Sequence, residues 1–169
     1  MTVFVEGESD RVAVETLARR LGLEGIPVVA IGGAHAIGRY VDHDQGVTVV
    51  GLCDVGEEAV FRRAIDHVHV CVVDLEDELI RALGTERVEE ILEANGDLGS
   101  FRTFQKQVEW RGRPARDQLR RFLGSGARRK IRYAEILVEH LDLDRVPAPL
   151  IGALRTHVRI TLGPSQMEL

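Results

Sequence analysis

The chain has 169 residues, of which 44% are hydrophobic and 29% charged, and its formal net charge is −5. That is enough for one full domain with its own core and a small helical appendage, and no apolar run reaches the roughly 20 residues that a membrane-spanning helix requires. The N-terminus opens as a strand rather than as a basic and then apolar leader, so a cytoplasmic protein with no membrane partner is expected.

The first element is the apolar run Val3 to Val5, which breaks off in "EGESD". Three carboxylates around one glycine are more than a turn needs. After Ser9, a candidate N-cap, the positions Val12, Ala13, Leu17, Ala18 and Leu21 recur at helical spacing, and Gly22 supplies the stop. A second strand is expected over 26–31, ending at Gly32-Gly33 before a short helix to about Tyr40, and "VDHDQG" reads as a turn. The third strand, 47–53, ends at Asp54 and leads into "GEEAVFRRAID"; the fourth, 68–73, ends at Asp74 and leads into "LEDELIRALG". These runs are β-branched without polar alternation, the pattern of strands covered on both faces, so the expected fold class is α/β with a parallel sheet of about four strands flanked by helices. From about Thr85 the strand signals stop, and five helical segments punctuated by glycine or proline follow. Residues 1–84 are expected as the α/β core, 85–163 as a helical extension, and 164–169 as a flexible tail. Cys53 and Cys71 lie inside apolar runs without metal-like spacing, which predicts buried, reduced thiols.

Charge is distributed unevenly. The segment from Lys106 to Arg132 carries a local charge of +8, leaving −13 on the remainder. An acidic part that could hold metal cations is therefore joined to a basic part that could hold phosphates.

In a parallel sheet the loops after the strands gather on one edge, where such folds place their ligands. The first strand delivers Glu6 there, with Glu8 and Asp10 behind it; the third delivers Asp54, Glu57 and Glu58; the fourth delivers Asp74, Glu76 and Asp77. A bound divalent cation would relieve their repulsion, and oxygen ligands favour Mg²⁺ or Mn²⁺. Each acid taken singly has a plainer role, as a cap or a solvated acid at a helix N-terminus. Capping does not explain why three strands end alike.

The series "VFVEGESDRVAVETLARRLG", "VVAIGGAHAIGRY", "VVGLCDVGEE", "VVDLEDEL" and "RRKIRYAEILVE" resembles the Toprim domain of OLD-family nucleases over roughly residues 3 to 139. That fold is shared with type IA and type II topoisomerases and bacterial primases, and its signature is a glutamate-glycine after the first strand and an Asp-x-Asp after a later one. The resemblance implies a Toprim-like, Mg²⁺- or Mn²⁺-dependent phosphoryl-transfer enzyme with room for two metals, acting as a DNA endonuclease or nickase. It implies that Glu6, Asp10, Asp54 and Glu76 are metal ligands or lie beside them, and that Glu6 and Lys130 are catalytic, Lys130 being the lysine near the scissile phosphate. Two departures stand out. The second aspartate of Asp-x-Asp is replaced by Gly56, so Glu57 or Glu58 would have to substitute; and no GxxxxGK[ST] loop is present, so ATP dependence would require a separately encoded ATPase partner.

Arg111, Arg113, Arg116, Arg120, Arg128 and Arg129 are the candidate DNA contacts, interleaved with Trp110, Phe122 and Tyr133 in a mixture that suits phosphate contact and base stacking. Helical spacing offers the alternative of aromatics in the core and arginines in solvent. His67 and His69 share a strand face and read as core or edge residues, whereas His35 lies on the functional edge. "GGAHAIG" lacks the full dinucleotide fingerprint. Beside the nuclease stand two other readings: a degenerate Toprim module that binds without cutting, and a phospho-acceptor receiver domain built around Asp54. The receiver reading lacks the acidic pair after the first strand and the lysine after the last.

Overall fold

The structure, a computed structural model, describes residues 2–23, 25–41 and 49–162, with side chains as far as Arg159. Four strands, β1 (Thr2–Val5), β2 (Val28–Ala30), β3 (Val49–Asp54) and β4 (His67–Cys71), form one parallel sheet in the order β2-β1-β3-β4. Helix α1 (Glu8–Arg20) and a 3₁₀ turn (Ala34–Arg39) follow β1 and β2, and α2 (Glu58–Ala64) and α3 (Leu75–Leu83) follow β3 and β4. The rest is helical: α4 (Thr85–Ala94), α5 (Leu98–Gln105), α6 (Ala115–Leu123), α7 (Ala127–Glu139) and α8 (Ala148–Leu162). Val41 apart, the expected turn at 41–46 lies outside the described residues, as does the tail after Gly163.

Alternation along each strand divides the apolar side chains between two cores. Val3, Val5, Val50 and Leu52 face a large core built with α1, α3 and the later helices, whereas Phe4 and Cys53 face a smaller one made with Ile31, Ile37, Phe61 and Ile65. Covering both faces is what the unbroken apolar runs require. On the smaller side Gly51 lets α2 come close, because a Cβ there would lie 2.6 Å from Ile65 Cδ1 and 2.7 Å from Phe61 Cδ1.

Two features of the fold position the edge chemistry. The carbonyl of Glu6 accepts hydrogen bonds from the N–H groups of both Gly32 and Gly33, each at 3.1 Å. Those glycines have φ of 73° and 109°, which only glycine adopts without strain, so the turn after β2 fastens the backbone at the end of β1. Helix α7 lies along α1 in the same direction. At their C-terminal ends Arg19 pairs with Glu139 at 2.7 Å, and Arg20 donates to the carbonyls of Val138 and Leu141 at 2.7 and 2.9 Å. The guanidinium thus satisfies carbonyls that a helix end leaves without partners. With those ends pinned, the first turn of α7, carrying Lys130, is delivered to the end where α1 starts.

Boundaries differ from expectation in several places, and at β2 and α1 the reason is local. β2 is shorter than 26–31 because Pro27 has no N–H to offer, although its carbonyl still accepts from Val3 N–H at 2.9 Å. The N-cap of α1 is Gly7, not Ser9, which is buried in the first turn; the N–H of Gly7 is met by Asp10 Oδ2 at 3.0 Å. Helix α5 ends at Gln105, short of the helical reading of "SFRTFQKQVEW", a turn carrying the chain from there toward Pro114, and β4 covers His67–Cys71 rather than 68–73. We expect Gly51→Ala to overpack the α2 side and lower stability by about 1–3 kcal/mol, read as a lower denaturation midpoint with the strand signal of circular dichroism retained.

Candidate functional site

The acids converge because the strands that carry them are neighbours. β1, β3 and β4 lie side by side and end on one edge, so Glu6, Asp54 and the start of α3 meet there, at the point where the strand order reverses. Electrostatics registers this proximity. Burial, followed by the charges of Asp10, Asp74, Glu6 and Glu76, pushes the Asp54 carboxyl up to about 7. Glu76, only 7% exposed, is likewise pushed up to about 7, by burial first and then by Asp74 and Asp10 against the opposing effect of Lys130. Burial also raises Glu6, with help from Glu57 and Asp10, and raises Asp10 despite the N–H of Gly7 and the charge of Lys130.

Lys130 is the cation at the centre of this group. Its Nζ lies 3.5 Å from Glu76 Oε2. Burial alone would lower its pKa, but Glu76, Asp10, Asp54 and Asp74 together outweigh that and raise it, so the ammonium stays charged. The structure therefore brings Glu6, Asp10, Asp54, Glu76 and Lys130 into one electrostatic cluster. Of the two candidate substitutes for the missing aspartate, Glu57 acts on Glu6 through its charge, while Glu58 is engaged by Arg62 at 2.6 Å. A Cβ on Gly56 would meet nothing within 4 Å.

The carboxylates are hard oxygen donors short of compensating charge, which is the chemistry that a divalent cation fits. Among the described residues, no group of three or more His, Cys, Asp or Glu side chains is arranged to hold a metal ion as it stands. Mg²⁺ is commonly held by one or two carboxylates, waters and substrate phosphates, so this open arrangement is compatible with it. The buried thiols expected from the sequence are present: Cys53 and Cys71 are free and buried, burial pushing Cys53 up to about 12 and Cys71 further.

Part of the basic segment faces inward. Asp74 caps α3, its Oδ1 accepting from Asp77 N–H at 2.8 Å, while Arg120 Nε donates to its Oδ2 at 2.6 Å. Asp77, with a side chain 2% exposed, receives Arg116 Nε at 2.9 Å and Arg81 Nε at 3.2 Å. Arg116 and Arg120 thus tie α6 to α3, a role that their placement among the DNA-contact candidates does not describe. The expectation of three stacking aromatics is also corrected. Phe122 and Tyr133 are buried, Tyr133 donating to Asp97 Oδ2 at 2.6 Å, and only Trp110 is partly open. Arg111, Arg113 and Arg128 are exposed; Arg129 lies 4.1 Å over the Phe122 ring. His35 is exposed on the turn after β2, and His69 Nε2 meets Thr156 Oγ1 at 2.9 Å. Sequence reading missed Arg81, which pairs with Asp77 and Glu78, and Glu78 itself, buried with its Oε1 accepting from Val72 N–H at 3.0 Å. The spacing of Asp77 and Glu78 to Arg81, four and three residues on in "LEDELIR", was the available signal.

A cleft of about 490 Å³ opens beside the acids, lined by Asp74, Glu76, Arg113, Arg120 and Lys130 among others, with Trp110 at its margin. Among the described residues, no helix is long and apolar enough to cross a membrane.

No family profile matches the chain, and no curated protein does. Solved structures do. The C-terminal region of the Xanthomonas campestris pv. campestris OLD protein is 24% identical with a TM-score of 0.68, and 95% of each chain is covered. The C-terminal region of the Burkholderia pseudomallei OLD protein is 18% identical with a TM-score of 0.64, covering 95% of this chain and 97% of that one. The fold is that of an OLD C-terminal region. In this OLD-type fold the acidic edge falls on β1, β3 and β4, as the Toprim resemblance implies.

The raised carboxyls make stability depend on pH with a definite sign. A carboxyl whose folded pKa exceeds its unfolded value binds its proton more tightly in the native state, so stability falls as pH rises from the unfolded value toward the folded one. We expect Asp54→Asn to raise the thermal midpoint of chelator-treated protein at about pH 8, with the gain vanishing near pH 4. Differential scanning fluorimetry across that range checks it, and Mg²⁺ at pH 8 should raise the wild-type midpoint as well.

Proposed function

We propose that this chain is a Mg²⁺- or Mn²⁺-dependent nuclease that hydrolyses phosphodiester bonds of DNA. The observation that carries this reading is the crowding of Glu6, Asp10, Asp54 and Glu76 on one sheet edge around a single lysine that remains protonated. Glu6, Asp10, Asp54 and Glu76 would hold the cation, one or two of them directly and the others through its waters, and Glu57 would stand in for the aspartate replaced by Gly56. When bound, the cation supplies Lewis acidity that activates water and steadies the leaving oxygen.

The chain's own groups do the remaining work. Asp10 is held in place by Gly7 N–H, and the Glu6 backbone by Gly32 and Gly33. Lys130 lines the cleft, where its charge would offset negative charge building on a phosphate during transfer. Arg113, on the same cleft, and exposed Arg111 and Arg128 are suited to flanking phosphates.

Supercoiled plasmid incubated with the protein and Mg²⁺ or Mn²⁺ should yield nicked or linear DNA, and chelator should stop it. Glu6→Ala should abolish cutting, and Lys130→Ala should slow it about 10²-fold or more. The departure at Gly56 favours a second reading, a non-cutting Toprim-like module that binds nucleic acid or serves a separate ATPase. Open space around Gly56 makes the two separable. An inactive wild type that gains metal-dependent cutting on Gly56→Asp would establish the second reading; an active wild type would exclude it.

A further inference from the structure

A second recess of about 400 Å³ lies among α5, α6 and the start of α7. Trp110 and Arg121 line both this groove and the acidic cleft, so the two adjoin. We propose that the groove receives one unpaired nucleobase of the strand whose phosphate lies in the cleft beside Lys130. This deepens the nuclease reading and rests on it, naming an unstacked or single-stranded segment as the part of the substrate that the chain recognises.

Three observations support the assignment. The groove is aromatic where a base would lie: Phe104 stacks on Trp110 with ring centroids 5.3 Å apart and planes 30° from parallel, and Phe122 lies 5.7 Å from Phe104. Buried Phe122 backs this stack, whereas Trp110 stays partly open. The groove is also basic on balance, with Arg121 and Arg129 against the single acid Glu109. Strands without sequence preference are bound in this way, by cations that follow phosphates and aromatic faces on which bases stack. Thirdly, the guanidinium of Arg113 lies 5.1 Å over the Trp110 ring. A cation resting on a partly open indole can give way to a base and move to that base's own phosphate, since Arg113 is exposed and lines the cleft. A base inside a duplex has its faces covered by its neighbours and cannot occupy such a groove without leaving the stack.

Trp110 is the sole tryptophan of the chain, so its emission reports the event directly. The experiment titrates the full chain, in chelator so that no strand is cut, with a thymidine strand of about 12 nucleotides, a uridine strand, an abasic strand and a duplex of equal length. Fluorescence and the anisotropy of labelled strands are read in parallel. The thymidine or uridine strand should quench Trp110, the abasic strand should bind without quenching, and the duplex should quench least. The difference between thymidine and uridine separates DNA from RNA. Trp110→Ala should weaken single-strand binding about tenfold or more while Trp110→Phe retains most of it, with melting curves confirming that both are folded. Equal binding by base-bearing and abasic strands, or equal quenching by strand and duplex, overturns the assignment while plasmid cutting still stands for the nuclease reading. Failure of every nucleic acid to bind, together with uncut plasmid, removes both.

Discussion

The ion pairs that join α3 to α6 and α7 hold the rest of the site in place. Asp77 to Arg116, Asp74 to Arg120 and Glu76 to Lys130 set three acids of one short helix against three cations from elements 39 to 54 residues further along the chain. Without them the acids at the ends of β1, β3 and β4 would face one another with little to balance them, and the parallel sheet admits no other place for its strand ends. Burial makes these pairs matter. A surface pair is worth about 0–1 kcal/mol, but breaking a buried one leaves a stranded charge at a cost of about 3–5 kcal/mol. Asp77 is 2% exposed while Arg116 is 46% exposed, so this pair falls between those limits.

Opposite net charges on the two parts of the chain have the same origin. The acidic part gathers at the strand ends, and the basic segment lies over it through α6 and α7. Its arginines divide by their partners: Arg116 and Arg120, though open to solvent on one side, pair with Asp77 and Asp74, while Arg111, Arg113 and Arg128 are exposed. A local charge of +8 therefore overstates what is available to an external phosphate.

Much of the fold was legible because its signals are local. Apolar runs ending in Glu6, Asp54 and Asp74 mark three of the four strands, and helical spacing after Ser9 marks α1. The convergence of acids was legible too, since parallel strands deliver their ends to one edge. What escaped was decided over distance or by competition. Arg120 reaches Asp74 across 46 residues, and no local pattern separates that arginine from one facing solvent. Ser9 looks like a cap by type, yet Gly7 in extended backbone, answered by Asp10, takes the position. Phe122 and Tyr133 have the composition of stacking residues but the spacing of a core, and spacing prevailed.

The two cysteines lie just beneath the acidic edge, one in each core, Cys53 adjoining Asp54 and Cys71 three residues before Asp74. Thiophilic ions such as zinc or cadmium bind thiolate, not thiol. Burial, and after it the neighbouring carboxylates, raises the pKa of both thiols, so the sulfurs beneath the acids are neutral thiols of the two cores rather than thiolates.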